Sequence, residues 1–457
     1  MPDILALSTR DYALALMTSL PDAGAERKPL LARTVSLPVA DLPALIELLP
    51  FAAAGELFSW VRRGEGMVGW GRAAEHVATG AERFASLRSW WESVAGGAIV
   101  RNEVGVPGTG PVAFGSIAYA ASSPAAATLV VPQVVVGRRG DRAWLTTMTT
   151  GDELPSVIPP ASGSTPTAPE GVTFADGASS PTQWAGAVAH AVELITQGHL
   201  DKVVLARDLE VRSERPIDVR WLLARLAERY DNTWVFSVDG LVGATPEMLA
   251  RSEKGLVTSR VLAGTIRRTG DDEHDLALAA SLARSSKDLE EHEYAVRSVA
   301  DALRPHCSSM NVPETPFVLH LPNVMHLATD VTGVLADGAS SLALAEALHP
   351  SAAVCGTPTA IADRVIADLE GMDRRRYAGP VGWIDASGDG EWGIALRTGE
   401  VDPGDPSRMR LFAGCGIVAG SDPPTGPSHN STHRDFVSSG SPIDDSTSPH
   451  RDFVSPN

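Results

Sequence analysis

The chain alternates short Val-, Ile- and Leu-rich runs with helical stretches, and the alternation is irregular. A doubly wound parallel fold needs a strict strand–helix–strand rhythm, so its absence points to a large α+β domain. The strand segments include PVAFGSIAYA (111–120), ATLVVPQVVVG (127–137), DKVVLARDLEV (201–211), VGWIDA (381–386), WGIALRTGEV (392–401) and MRLFAGCGIV (409–418). Their β-branched and apolar content suits a pleated, half-buried surface. NTWVFSVDGLVGATPEMLA (232–250) reads as a hairpin leading into a turn at Thr245–Pro246. Among the helices, Phe84, Leu87 and Trp91 share one face of ATGAERFASLRSWWESVAGG (78–97). A sharper start lies at Ser180, which can N-cap, with Pro181 at the first helical position and Gln183 completing a capping box. Trp184, Val188, Ala191, Val192 and Ile195 then line one face and Gly198 can close the helix. Helical patterns follow at 273–304, 339–348 and 358–370.

The chain has 457 residues, 44% of them hydrophobic, which is enough for a sizeable core. A formal charge of −18 disfavours nucleic acid and anionic membrane as partners, because both reward basic surface. The first residues, MPDILALSTRDYALALMTSL, lack the basic and apolar regions of a signal peptide, and no apolar run is long enough to span a bilayer. Cys307, Cys355 and Cys415 are odd in number and widely spaced, and form neither a disulfide framework nor a zinc pattern. A reduced, cytoplasmic protein is expected. Composition divides it into an N-terminal part (1–155), a Pro/Ser/Gly-rich loop (156–182), a core (183–423) and a tail (424–457). The tail repeats HRDFVS at 433–438 and 450–455, has nothing with which to bury a helix face, and is expected to be disordered.

Several residues carry possible chemistry. Lys202 heads an apolar strand, where burial would make its amine a usable base; a surface lysine at a strand end is the plainer alternative. Glu247 follows the Thr-Pro turn, where a partly desolvated carboxyl can stay protonated and act as an acid, or simply start a helix. LAGTIRR (262–268) and FAGCGIV (412–418) place glycines where backbone N–H groups can approach an anion, although a tight strand crossing accounts for them equally. Arg397 can grip a carboxylate, and His326 and His349 can bond a ligand or sit satisfied in the core. On the helix that carries SSKDLEEHE (285–293), Leu289, His292, Val296, Val299, Ala300 and Leu303 make a buried stripe. Periodicity alone therefore puts Glu291 on the opposite, solvated face.

Taken in order, KVVLAR, GATPEML, LAGTIRR, SSKDLEEHE, VMHLATD, LHPSAAVCGTP, YAGPVGW, GEWGIALR and FAGCGIV resemble the chorismate-binding enzymes. These include isochorismate, anthranilate, aminodeoxychorismate and salicylate synthases. A weaker likeness extends upstream through VRRGEGMVGWGRA and PVAFGSIAY. The resemblance implies one large domain of mostly antiparallel sheets with helices packed outside. Lys202 matches the strand lysine of isochorismate and salicylate synthases, which anthranilate synthases lack. Ala263 stands where one type of aminodeoxychorismate synthase has a nucleophilic lysine. The implied function is Mg²⁺-dependent isomerisation of chorismate to isochorismate, for menaquinone or siderophore synthesis and without a glutaminase subunit. Lys202 would be the base, Glu247 the acid and Glu291 the metal ligand. Gly264, Thr265, His326, Arg397, Gly414 and Gly416 would bind substrate. The family's C-terminal acidic positions fall on Gly426 and His429, so a metal carboxylate is lost there. Two alternatives accompany the main reading: a salicylate synthase, and a catalytically impaired chorismate-binding protein.

Overall fold

A computed structural model describes residues 28–42, 44–51, 56–153 and 164–421. The tail expected to be disordered lies outside the described residues. Two large sheets dominate, of thirteen and ten strands among the described residues. Every strand pairing is antiparallel except that of Leu31–Leu37 with Ile99–Asn102. Strands from before and after the Pro/Ser/Gly-rich stretch interleave in both sheets. Leu57–Arg62 lies beside Trp234–Val238 in one, and Val112–Ser116 beside Pro380–Asp385 in the other. The result is the expected α+β architecture. A short strand, Thr173–Asp176, lies inside the stretch read as loop and pairs with residues 209–212.

The sheets pack face to face, as two-period alternation requires. In Trp234–Val238 the alternate residues Trp234, Phe236 and Val238 face the other sheet, where Phe114 and Trp392 are fully buried. Phe58 of the larger sheet and Phe114 of the smaller meet with ring centroids 5.8 Å apart. Val235, Val242, Ala244 and Leu411 point the other way, into a second cluster roofed by helix Val219–Arg229. Helices Ser286–Leu303 and Ser341–Leu348 cover the smaller sheet, and Pro181–Thr196 and Thr359–Leu369 cover the head of Lys202–Arg212. The helix from Pro181 starts with the expected capping box, in which Ser180 accepts from Gln183 N and Gln183 returns to Ser180 N. No helix among the described residues is long and apolar enough to cross a membrane.

Two segments read as single strands are each two. ATLVVPQVVVG divides into Ala127–Val131 of the smaller sheet and Val134–Arg139 of the larger. Pro132 between them has no N–H for a ladder. WGIALRTGEV divides into Gly390–Ile394 of the smaller sheet and Thr398–Val401 of the larger, with Arg397 between them at φ +52°. The turn at Thr245–Pro246 is a third crossing, from Leu241–Thr245 in the larger sheet to Met248–Glu253 in the smaller. Periodicity sees continuous apolar alternation here because both sheets bury the same core.

An ion pair ties the head of Lys202–Arg212 to its covering helix. Arg374 and Glu370 are 2% and 1% exposed, with Nη2 2.5 Å from Oε1. Arg374 also donates to Val204 O and Val354 O, and Glu370 accepts from Ala206 N. Arg374→Met strands the Glu370 charge and two carbonyls, so a loss of about 3–5 kcal/mol is expected. Urea unfolding of the variant checks this; a loss near that of a surface arginine would contradict it.

Candidate active site

Four of the sequence-predicted residues converge where the sheets cross. Lys202, 9% exposed, begins its strand opposite Thr357. Its Nζ lies 2.6 Å from Glu291 Oε1. The solvated position that periodicity assigned to Glu291 is therefore wrong. Ala295, one turn on along the same side, is buried as well, because helix Ser286–Leu303 packs on Leu256–Arg267 and Val324–Leu335 over more than its apolar stripe. Gly416 makes this contact possible. A Cβ there would stand 3.1 Å from Lys202 Cε and 3.5 Å from Glu291 Oε1. Glu247 is 5% exposed, and burial pushes its carboxyl up to about 8, against the pull of the nearby Lys202 and a backbone hydrogen bond from Leu262. At neutral pH it is mostly protonated and able to donate.

A second group forms beside it. The strand Leu256–Arg267 slips by one residue between Ala263 and Thr265 relative to Val324–Leu335. Gly264, at φ +74°, supplies the left-handed residue of this bulge. The slip sets Thr265 opposite His326, with Thr265 Oγ1 2.9 Å from His326 Nδ1. Arg397 Nη2 is 3.5 Å from His326 Nε2. A guanidinium only donates, so Nε2 accepts and the proton sits on Nδ1, donated to Thr265. Burial, then the adjacent Arg397, brings His326 down to about 4, and the ring is neutral. Arg397 has a buried Nη1 with no hydrogen-bond partner, and it forms no ion pair among the described residues. A buried cation with an idle donor is a carboxylate receptor in waiting.

The glycines of FAGCGIV lie on an exposed edge. Arg408–Ile417 pairs with Lys202–Arg212 along its length, but with Thr398–Val401 only over residues 409–411. Beyond residue 411, alternate N–H groups on its second edge have no strand partner. Gly414 lies next to the Tyr377 hydroxyl, 3.0 Å from where its Cβ would be. His349 is elsewhere. It is half-buried between Phe84 and Tyr119 and donates from Nε2 to Tyr119 O at 2.8 Å, which satisfies it structurally.

Sequence reasoning gave no site role to three neighbours. His292, lowered to about 4 first by burial, bonds Thr329 Oγ1 at 2.8 Å beside Glu291. Asp288 packs on Gly264, and Tyr377 opens the YAGPVGW segment without having been singled out. Helical periodicity does reveal Asp288 as a neighbour of Glu291, but nothing local reveals Tyr377.

Comparison with known proteins gives consistent matches. A family model described as chorismate binding enzyme matches residues 19–425. Isochorismate synthase DhbC of Bacillus subtilis is 39% identical over 255 residues, 53% of this chain and 63% of that one, so less than two thirds of that relative is matched. The salicylate biosynthesis isochorismate synthase of Pseudomonas aeruginosa is 32% identical over 380 residues, 78% of each chain. The crystal structure of DhbC from Bacillus anthracis superposes with a TM-score of 0.67 at 30% identity, over 86% of this chain and 97% of that one.

Glu247 has a consequence for stability. Its carboxyl titrates from 4.5 in the unfolded chain to about 8 in the folded one, so the unfolded state loses its proton first. Stability from this group falls as pH rises through that window. Glu247→Gln should therefore gain in melting temperature relative to the parent between pH 5 and pH 8. A difference that stays flat with pH would show that the carboxyl is not held neutral.

Proposed function

The chain belongs to the chorismate-binding enzyme family, and on that premise we propose that it is an isochorismate synthase. Water adds to C2 of chorismate, the ring double bonds shift, and the 4-hydroxyl leaves as water, so the net change is isomerisation. The observation that carries this reading is that the buried Lys202 amine lies near enough to act on the charge of Glu247, a carboxyl that burial keeps protonated.

Lys202, as the neutral amine, takes a proton from the attacking water, and for this it must part from Glu291. Glu247 delivers its proton to the departing 4-hydroxyl and is left as a carboxylate. A base and an acid acting on the two ends of one conjugated system are what this acid–base catalysis needs. Arg397 and the open-edge amides around Gly414 and Gly416 receive the enolpyruvyl carboxylate. Thr265, His326 and the Gly264 bulge shape the ring site; neutral His326, accepting from Arg397, holds the guanidinium in place without competing for the anion.

Glu291 fits a Mg²⁺ ion, which takes one or two protein carboxylates and completes its shell with substrate and water. No group of three His, Cys, Asp or Glu side chains that could form a complete cage occurs among the described residues. Gly426 and His429 lie outside them. When bound, the ion would polarise the ring carboxylate as a Lewis acid. The product would feed menaquinone or siderophore synthesis in a cytoplasmic setting, with no glutaminase partner.

Incubation with chorismate and millimolar Mg²⁺ should yield isochorismate without pyruvate; salicylate and pyruvate together would instead make it a salicylate synthase. Lys202→Ala and Glu247→Gln should each lower kcat by about 10²–10⁴-fold. Arg397→Met should raise KM by about 10–100-fold, the worth of one charged hydrogen-bonded contact. Unchanged turnover in Lys202→Ala would remove the base. No turnover by the unmodified chain at any Mg²⁺ concentration would favour the impaired protein.

A further inference from the structure

A second cavity, of about 410 Å³, opens away from the residues just described, and none of Lys202, Glu247, Glu291, His326 or Arg397 lines it. Trp60, Trp144, Trp234 and Trp383 form its walls, each less than a tenth exposed. Its rim holds Arg62, Arg63, Arg138, Arg139 and Arg251 against Glu65 and Glu391. Five guanidinium groups against two carboxylates is a concentrated positive field in a chain whose formal charge is −18.

The arginines divide into two kinds. Arg139 and Arg251 are engaged by Glu253 and Glu391. Arg62, Arg63 and Arg138 form no ion pair among the described residues. Arg62 lies flat over Trp234, 4.2 Å from the ring centroid, and donates from Nε to Asn232 O. Burial, then repulsion from Arg260 and Arg63, brings its guanidinium down to about 10. An anion would relieve that repulsion.

The walls carry an idle donor as well. Glu391 Oε2 accepts from both Trp60 Nε1 at 2.8 Å and Trp234 Nε1 at 3.2 Å. Trp144 Nε1 is buried with no partner. Its indole lies across Gly137, its register partner, where any Cβ would stand 2.2 Å from the ring. A cavity of ~150 Å³ takes one benzene, so this one has room for a fused two-ring system with charged substituents.

We propose that this cavity is a binding site for a flat aromatic dianion, its rings against the tryptophans and its anionic groups on Arg62 and Arg138. Arg251 lies in the strand Met248–Glu253, which Glu247 immediately precedes.

Naphthalene-2,6-dicarboxylate is a suitable probe, titrated into the whole protein by isothermal calorimetry at low salt. One saturable site is expected, at least about tenfold weaker in Arg62→Gln/Arg138→Gln and for the neutral 2,6-bis(hydroxymethyl)naphthalene. Arg138→Gln alone removes a group that forms no ion pair among the described residues, so it tests the site even if the double variant fails to fold. Arg397→Met should leave binding unchanged. No saturable binding, binding indifferent to Arg138 and to the charge of the probe, or binding lost in Arg397→Met would each overturn the proposal; the last would assign the probe to the other site.

Discussion

The candidate site depends on two chain crossings that bond to each other. At Pro246–Glu247 the chain leaves the larger sheet for the smaller, and at Ala395–Arg397 it returns. Ile394 N donates to Glu247 O at 3.1 Å, and Ala244 N donates to Arg397 O at 3.4 Å. The carboxyl and the guanidinium are thereby set by backbone, not by flexible loops. A crossing between packed sheets is also a place where side chains are buried while ladder geometry is interrupted, so polar groups can face inward.

Burial then does different things to different chemistry at this seam. It holds Glu247 protonated and keeps His292 and His326 neutral, because in each case it disfavours the charged form. Arginine cannot follow that route within the physiological range, so Arg397 stays charged and takes what donors and acceptors the seam offers. The outcome is one cation with an idle donor, a neutral imidazole oriented by Thr265, and a carboxyl able to give a proton. The Lys202–Glu291 pair stands apart from this group, amine and carboxylate in contact at 2.6 Å.

The strand Met248–Glu253 joins the two regions of interest. Glu247 precedes it, and Arg251 near its far end lines the tryptophan-walled cavity. The strand pairs with Leu256–Arg267 over residues 251–253 and with Gly390–Ile394 through a register slip between Met248 and Ala250.

What local sequence can encode was legible. The capping box at Ser180, the buried faces of the helices, and the order of the chorismate-binding motifs all depend on neighbours within a few residues or on type and spacing. The α+β class followed from the irregular alternation. Tertiary structure alone decided that WGIALRTGEV and ATLVVPQVVVG each serve two sheets, that Glu291 turns from solvent to Lys202, and that Trp144 ends without an acceptor. The reason is physical: periodicity reports which side of an element is apolar, whereas a crossing, an ion pair or a cavity depends on residues far apart in the chain. Lys202 and Glu291 are brought together by a helix packing on one sheet and a strand heading the other, which no local pattern records.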